Sequence, residues 1–228
     1  MATNPKDSYY SRGEVSNSDL TALKYKLYPS LNFMKDKDRQ KAFHLGTLVD
    51  AYVTEPKKMN HYRLTVDDEP YTKEEWAWGR LMRDALFKRA EKDAFLDYVL
   101  KNSDPQAWFT NPRQRFEYGC FDFELPTRCK WDWWIGAAGF GGDLKTVSVT
   151  SQAEFEKSID FFDWDRSRAW YMDLVHSLNP AWGNRDFIYA ISKKNQKVFF
   201  KKIERGDETY ERGKEKYLGL AFQLWCLI

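Results

Sequence analysis

The chain is poor in cysteine. Three thiols in 228 residues, Cys120, Cys129 and Cys226, do not form a paired framework and lack the C-x-x-C spacing that gathers zinc. An iron–sulfur cluster normally takes four thiolates, so three argue against one. The reading is free thiols in a reducing, cytoplasmic compartment. Long apolar runs are missing as well. Nothing approaches the ~20 apolar residues of a bilayer span, so no membrane partner is expected. The opening stretch MATNPKDSYYSRGEVSNSDL is polar throughout and does not read as a secretory leader. An excess of one charge is also absent. With 36 basic and 34 acidic residues the net charge is +2, which excludes a polycationic coat. Any contact with nucleic acid must use local patches. One candidate is 193–205, where Lys193, Lys194, Lys197, Lys201, Lys202 and Arg205 face only Glu204.

Aromatic residues are plentiful, at 17% with ten Trp, enough both to fill a core and to leave rings for stacking on bases or sugars. Residues 1–14 read as a loose arm. Ser16 or Ser18 then starts a helix carrying Leu20, Leu23 and Leu27, ended by Pro29. Either serine serves as a cap or as a contact to a DNA phosphate. A second helix spans 38–53. Gly46 within it implies a close approach, and Asp50 shares a face with Leu45, Leu48 and Val49. An acid there needs a metal, a lysine or a backbone donor. Residues 54–71 read as a polar connection. Thr72 and Glu75 make a capping box for helices over 72–101, with a break near Asp93.

The sheet begins at 113. Phe116, Phe121, Phe123 and Leu125 suit a strand, with Gly119 as a bulge, Glu117 as an acid in the first strand and Pro126 at the following turn. The stretch 128–147, RCKWDWWIGAAGFGGDLKTV, reads as strand, glycine-rich turn and strand. Alternation puts Asp143 and Lys145 on one face and Leu144 on the other, with Asp132 one hairpin away. Helices over 151–159 and 164–178, a hairpin through 193–196 and a last helix over 207–228 complete the chain. The apolar end of that helix serves as core or as a homo-oligomer contact. The class is α/β (α+β): one domain over 1–228 with a central mixed sheet flanked by helices. Its parts are the arm, a mainly helical 15–101, a core with the site over 113–178, and hairpin plus helix over 185–228.

Phosphodiester cleavage needs a divalent cation, a water that loses a proton and stabilisation of developing charge. Mg²⁺, or Mn²⁺ in its place, takes hard oxygen ligands. Asp132, Asp143 and the Leu144 carbonyl are the candidate ligands, Lys145 the contact to water or phosphate, and Glu117 and Asp50 the recruits from a neighbouring strand and helix.

GDLKT preceded by CKWD resembles the PD-(D/E)xK nuclease superfamily. The likeness is to its phage recombination exonucleases, of the exodeoxyribonuclease VIII and lambda-exonuclease type. VSNSDLTALK with LGTLVDAYVTEP resembles the N-terminal helices and Gly-x-x-x-His motif of that group, Glu117 the acid ahead of the core hairpin, and RSRAWYMDL the Gln-x-x-x-Tyr helix. The resemblance spans about 15–175. It implies a restriction-endonuclease-like core and a Mg²⁺-dependent exonuclease that degrades duplex DNA ends and leaves single strand for an annealing protein. It also implies DNA contacts from Ser16, Ser18, Arg166, Arg168 and Tyr171. Two positions depart: Asp50 stands where the family has histidine, and Ser167 near its glutamine. An endonuclease on the same fold and a non-catalytic DNA-binding protein are the alternatives.

Overall fold

A computed structural model describes residues 9–32, 36–56 and 71–228. Most of the expected connection over 54–71 and the first eight residues of the expected arm lie outside them. From Tyr9 onward the segment is tied down rather than loose. Tyr9 is buried, Val15 N donates to the Pro126 carbonyl at 2.8 Å, and Arg128 N donates to the Val15 carbonyl at 2.8 Å.

The sequence encodes its helix starts with side-chain caps. Helix α1 (Asn17–Leu27) opens on Ser16, which forms a reciprocal capping box with Asp19. Helix α2 is Asp36–Thr54. Helix α3 (Lys73–Ala90) opens on the Thr72–Glu75 box, and α4 (Ala94–Asn102) on Asp93, which accepts from Leu96 N. The break expected near Asp93 is that cap. Helices α5 (Gln152–Phe161), α6 (Trp164–Leu178) and α7 (Glu208–Trp225) follow later in the chain.

The described strands form two sheets. β2 (Trp108–Tyr118) and β3 (Phe121–Lys130) make a separate antiparallel ribbon. The central sheet holds β1 (Asp104–Pro105), β4 (Trp133–Ile135), β5 (Phe140–Val147), β6 (Arg185–Ser192) and β7 (Val198–Glu204), in the order β1-β4-β5-β6-β7. β5 and β6 run parallel, joined by a crossover through α5 and α6, and the other neighbours are antiparallel. The fold is therefore mixed α/β with a mixed five-stranded sheet flanked by helices.

Two turn assignments differ from the sequence reading. Gly119, at φ +63°, forms the tight turn between β2 and β3 rather than a bulge. Pro126, expected at the following turn, lies inside β3, at the edge met by Val15. A proline on a partly covered edge removes no interior ladder bond.

The central sheet is packed on both faces. Leu144, Trp133, Phe187, Tyr189 and Ile191 meet Val49 of α2, Met82 and Leu86 of α3, and Leu96 of α4. Ile188, Ala190 and Val147 meet Trp170 and Ala169 of α6, Tyr217 of α7 and the inner face of the ribbon. At Gly213 a Cβ would stand 2.2 Å from the Asp165 carbonyl oxygen, so α6 and α7 touch backbone to backbone there. Among the described residues no helix is long and apolar enough to cross a membrane.

Candidate active site

Strand β5 fixes the centre of the site. Asp143 is buried within it, and Leu144 points to the α2–α3 layer, as the alternation predicts. Asp132 lies in the link between β3 and β4. Its Oδ2 accepts a hydrogen bond from Leu144 N at 2.7 Å, which seats it against β5. Lys145 forms an ion pair with Asp143 Oδ2 and lies 5.9 Å over the Trp164 ring. The structure brings Asp132, Asp143 and Lys145 together, but the expected strand ahead of the glycine-rich turn is broken: 128–130 end β3 of the ribbon, and Asp132 lies in the link before β4 rather than on a strand.

Asp50 reaches the same locality from α2. Thr54 Oγ1 donates to its Oδ1 at 3.1 Å and Gln106 Nε2 to its Oδ2 at 3.0 Å. Gln106 N in turn donates to the Asp132 carbonyl at 3.1 Å, so one residue connects the two acids. Burial pushes the Asp50 pKa up to about 6 against the opposing Thr54 hydrogen bond, with Asp143 adding to the rise. The Asp132 pKa is raised further, first by burial and then by Asp50 and Asp143. Asp143 moves the other way: Arg168 and Lys145 outweigh its burial and hold its carboxyl below the usual range.

Arg168 was expected to face DNA. It is instead buried, with Nη2 at 3.5 Å from Asp143 Oδ1 and Nη1 at 3.7 Å from Asp186 Oδ2. Burial opposes its charge, but Asp143 and Asp186 raise its pKa overall. Its guanidinium lies 4.3 Å from the centre of the Tyr171 ring, which also meets Trp131 edge-on at 5.3 Å. Arg168 is therefore part of the inner scaffold of the site and Tyr171 its aromatic neighbour. The amphipathic pattern of α6 hid this, since residues 165–170 are all buried and leave no polar stripe to read.

Arg166 is likewise turned inward. It donates from Nε to Asn17 at 3.0 Å and from Nη1 to Asp163 at 3.3 Å, and it also meets Thr21, fastening α6 to α1. Ser16 is buried as the α1 cap, which matches the capping alternative, and Ser18 is exposed on that helix. Glu117 is not brought to the site. It pairs with Asp122 at the tip of the ribbon, while the site end of the ribbon pairs Trp108 with Lys130. Eight residues at about 3.3 Å each put it roughly 26 Å away along the strand. The basic run at 193–205 is also diluted. Arg205 turns inward to Asp173 at 2.6 Å, and Lys202 pairs with Glu204 at 2.7 Å.

Asp186 and Gln106 are the contributors the sequence did not reveal. Asp186 is a buried acid whose pKa is raised well above normal, chiefly by burial. It begins a strand buried on both faces, where no alternation marks an acid as special. Gln106 sits in the loop after β1 with φ +58°. A non-glycine left-handed residue leaves little trace in sequence.

No family model matches the chain. No curated protein matches it. Among solved structures, the crystal structure of SSO0001 is a distant match, at 12% identity over 89% of this chain and 85% of that one, with a TM-score of 0.33. A likeness at that score does not assign a fold family.

Proposed function

We propose that the chain is a divalent-metal-dependent deoxyribonuclease with a restriction-endonuclease-like core, acting on the ends of linear duplex DNA. The observation that carries this reading is the seating of Asp132 against β5, its Oδ2 on the Leu144 amide at 2.7 Å, beside the buried Asp143 and its ion pair with Lys145. Two acids set on neighbouring backbone positions of one strand and its link, with Asp50 connected through Gln106, form a place where a hard cation would offset their mutual repulsion.

The donor set suits Mg²⁺ or Mn²⁺: Asp132 and Asp143 would hold the ion, with the Leu144 carbonyl and Asp50 as further oxygen donors. Among the described residues no three His, Cys, Asp or Glu side chains already form a metal cage. Mg²⁺ characteristically takes one or two carboxylates and completes its shell with water and substrate phosphate, so a two-carboxylate anchor fits it. When bound, the ion would polarise the scissile phosphate and lower the pKa of a coordinated water.

The chain's own residues supply the rest. Arg168 holds Asp143 ionised and fixed in position. Lys145, about a quarter exposed, places an ammonium beside Asp143 where it can orient the attacking water or offset charge on the phosphate. Asp50, with its pKa near neutrality, can carry a proton in either direction. A non-catalytic DNA-binding protein is the second reading. It is favoured by the distance of Glu117 from the cluster and by the engagement of Asp143 with two cations.

The deciding experiment is incubation of linear duplex labelled at its 5′ or 3′ ends with Mg²⁺, with Mn²⁺ and with chelator, beside closed circular DNA. Metal-dependent loss of the linear duplex alone supports the exonuclease, and loss of the circle points to an endonuclease. No degradation, together with no metal uptake by calorimetry, would leave the non-catalytic reading. A released single strand would imply an annealing protein as the partner downstream.

A further inference from the structure

The segment ahead of α1 carries an aromatic and basic cluster that the proposed chemistry does not use. Tyr9 is buried at 6% exposure, and its carbonyl is held by the Arg128 guanidinium, which also lies 4.9 Å over its ring. This anchor presents the next residue, Tyr10, at 59% exposure and edge-on to Tyr9 at 5.2 Å. The Lys130 ammonium is 5.6 Å from the Tyr10 ring centre. Lys130 is two residues ahead of Asp132, and its strand partner is Trp108, which is 43% exposed. The Arg12 guanidinium lies 5.1 Å over the Trp108 ring.

An exposed tyrosine held edge-on by a buried one is a flat apolar surface, here set beside Lys130, two residues ahead of Asp132. A ring face with cations at its border suits a ligand that is itself flat and carries phosphate. We propose that Tyr10 is a stacking platform for the terminal nucleobase of a DNA end, with Trp108 and Arg12 continuing the platform along the strand away from the carboxylates. The identity of the ligand rests on the nuclease reading, whereas the existence of the platform rests on the geometry.

The test uses the full chain and a short duplex with 2-aminopurine at each terminal position, bound with Ca²⁺ in place of Mg²⁺. Wild-type protein is expected to quench the terminal fluorophore. Tyr10→Ala is expected to abolish the quenching and weaken binding about tenfold, the scale of one lost base–aromatic stack. Tyr10→Trp and Tyr10→Phe are expected to restore both. On a duplex with abasic termini, wild type should bind as weakly as Tyr10→Ala, and the substitution should cost nothing further. Equal binding by Tyr10→Ala, or the same loss on the abasic duplex, would overturn the platform. Trp108→Ala, with a smaller loss that adds to that of Tyr10→Ala, checks the continuation. Degradation of DNA by wild type, measured separately with Mg²⁺, keeps the two claims apart. Quenching without degradation removes the nuclease reading and leaves the platform. Degradation with no dependence of binding on Tyr10 removes the platform alone. Failure of wild type to bind duplex removes both.

Discussion

The Asp132 carboxyl is held by the backbone of the residue that follows Asp143: Leu144 N donates to Asp132 Oδ2 at 2.7 Å. The two acids are thereby set relative to one another by a main-chain contact, not by a flexible side chain. On the proposed chemistry, Asp132→Ala, Asp143→Ala and Lys145→Ala should each reduce metal-dependent degradation of linear duplex by at least about 10²-fold, the scale of losing one preorganised electrostatic group. Circular dichroism should remain that of the wild type. Full activity in Asp143→Ala would sink the assignment.

Glu117 gives the opposite expectation. It is exposed at the far end of the ribbon, opposite Asp122. Glu117→Gln should leave both degradation rate and urea midpoint unchanged, with a stability difference within about 0.5 kcal/mol. A rate loss comparable with that of Asp132→Ala would return Glu117 to the site.

Arg168 lies buried between Asp143 and Asp186, at 3.5 Å and 3.7 Å. Removing it leaves two buried acids without their shared cation. Arg168→Met should cost about 3–5 kcal/mol in urea unfolding. Adding Asp186→Asn should recover part of that loss, because one of the stranded charges goes with it. Strict additivity of the two substitutions would show that the three groups are not energetically coupled.

Asp163 governs a pH response remote from the proposed metal ligands. It adopts φ +54° ahead of α6 and pairs with Lys24 and Arg166. Burial would raise its pKa, but these partners prevail and lower it. A lowered folded-state pKa contributes stability above the unfolded value of about 3.9, lost as pH falls through the folded value. Asp163→Asn keeps a residue that tolerates the left-handed backbone. It should cost about 1–3 kcal/mol at pH 7, and the difference from wild type should shrink progressively as pH falls below the unfolded value. Urea midpoints measured from pH 7 downward check it.

Gly213 tests the closeness of α6 and α7. A methyl group there would meet the Asp165 carbonyl at 2.2 Å, a backbone atom that cannot swing aside. Gly213→Ala should destabilise by about 1–3 kcal/mol despite its better helix propensity. A neutral or raised melting temperature would mean that the helices can separate without cost.

Much of this architecture is written locally. Caps at Ser16, Thr72, Asp93, Ser151 and Asp207 announce helices that form where expected. The alternation around Asp143 correctly divides Leu144 from Lys145. The failures are non-local. Glu117 lies in a strand of suitable composition, but composition does not say that the strand leaves the central sheet for a ribbon of its own. Arg166 and Arg168 read as surface cations because arginine usually is one. Only their partners, which are contributed by distant elements, show why they are inside. Asp186 is hidden for the same reason: its meaning depends on Arg168 and on the parallel neighbour β5.

The parallel pairing of β5 with β6 has a kinetic consequence. Asp143, Arg168 and Asp186 come in that order from β5, α6 and β6, so their ion cluster closes only when the whole crossover has docked. A parallel pair gains nothing from a tight hairpin and must first meet the closure entropy of the intervening helices. Until then each of the three charges is better left in water. Docking of this crossover is therefore expected to be a late, all-or-none event in folding, with the proposed catalytic cluster assembled in the same step that completes the sheet.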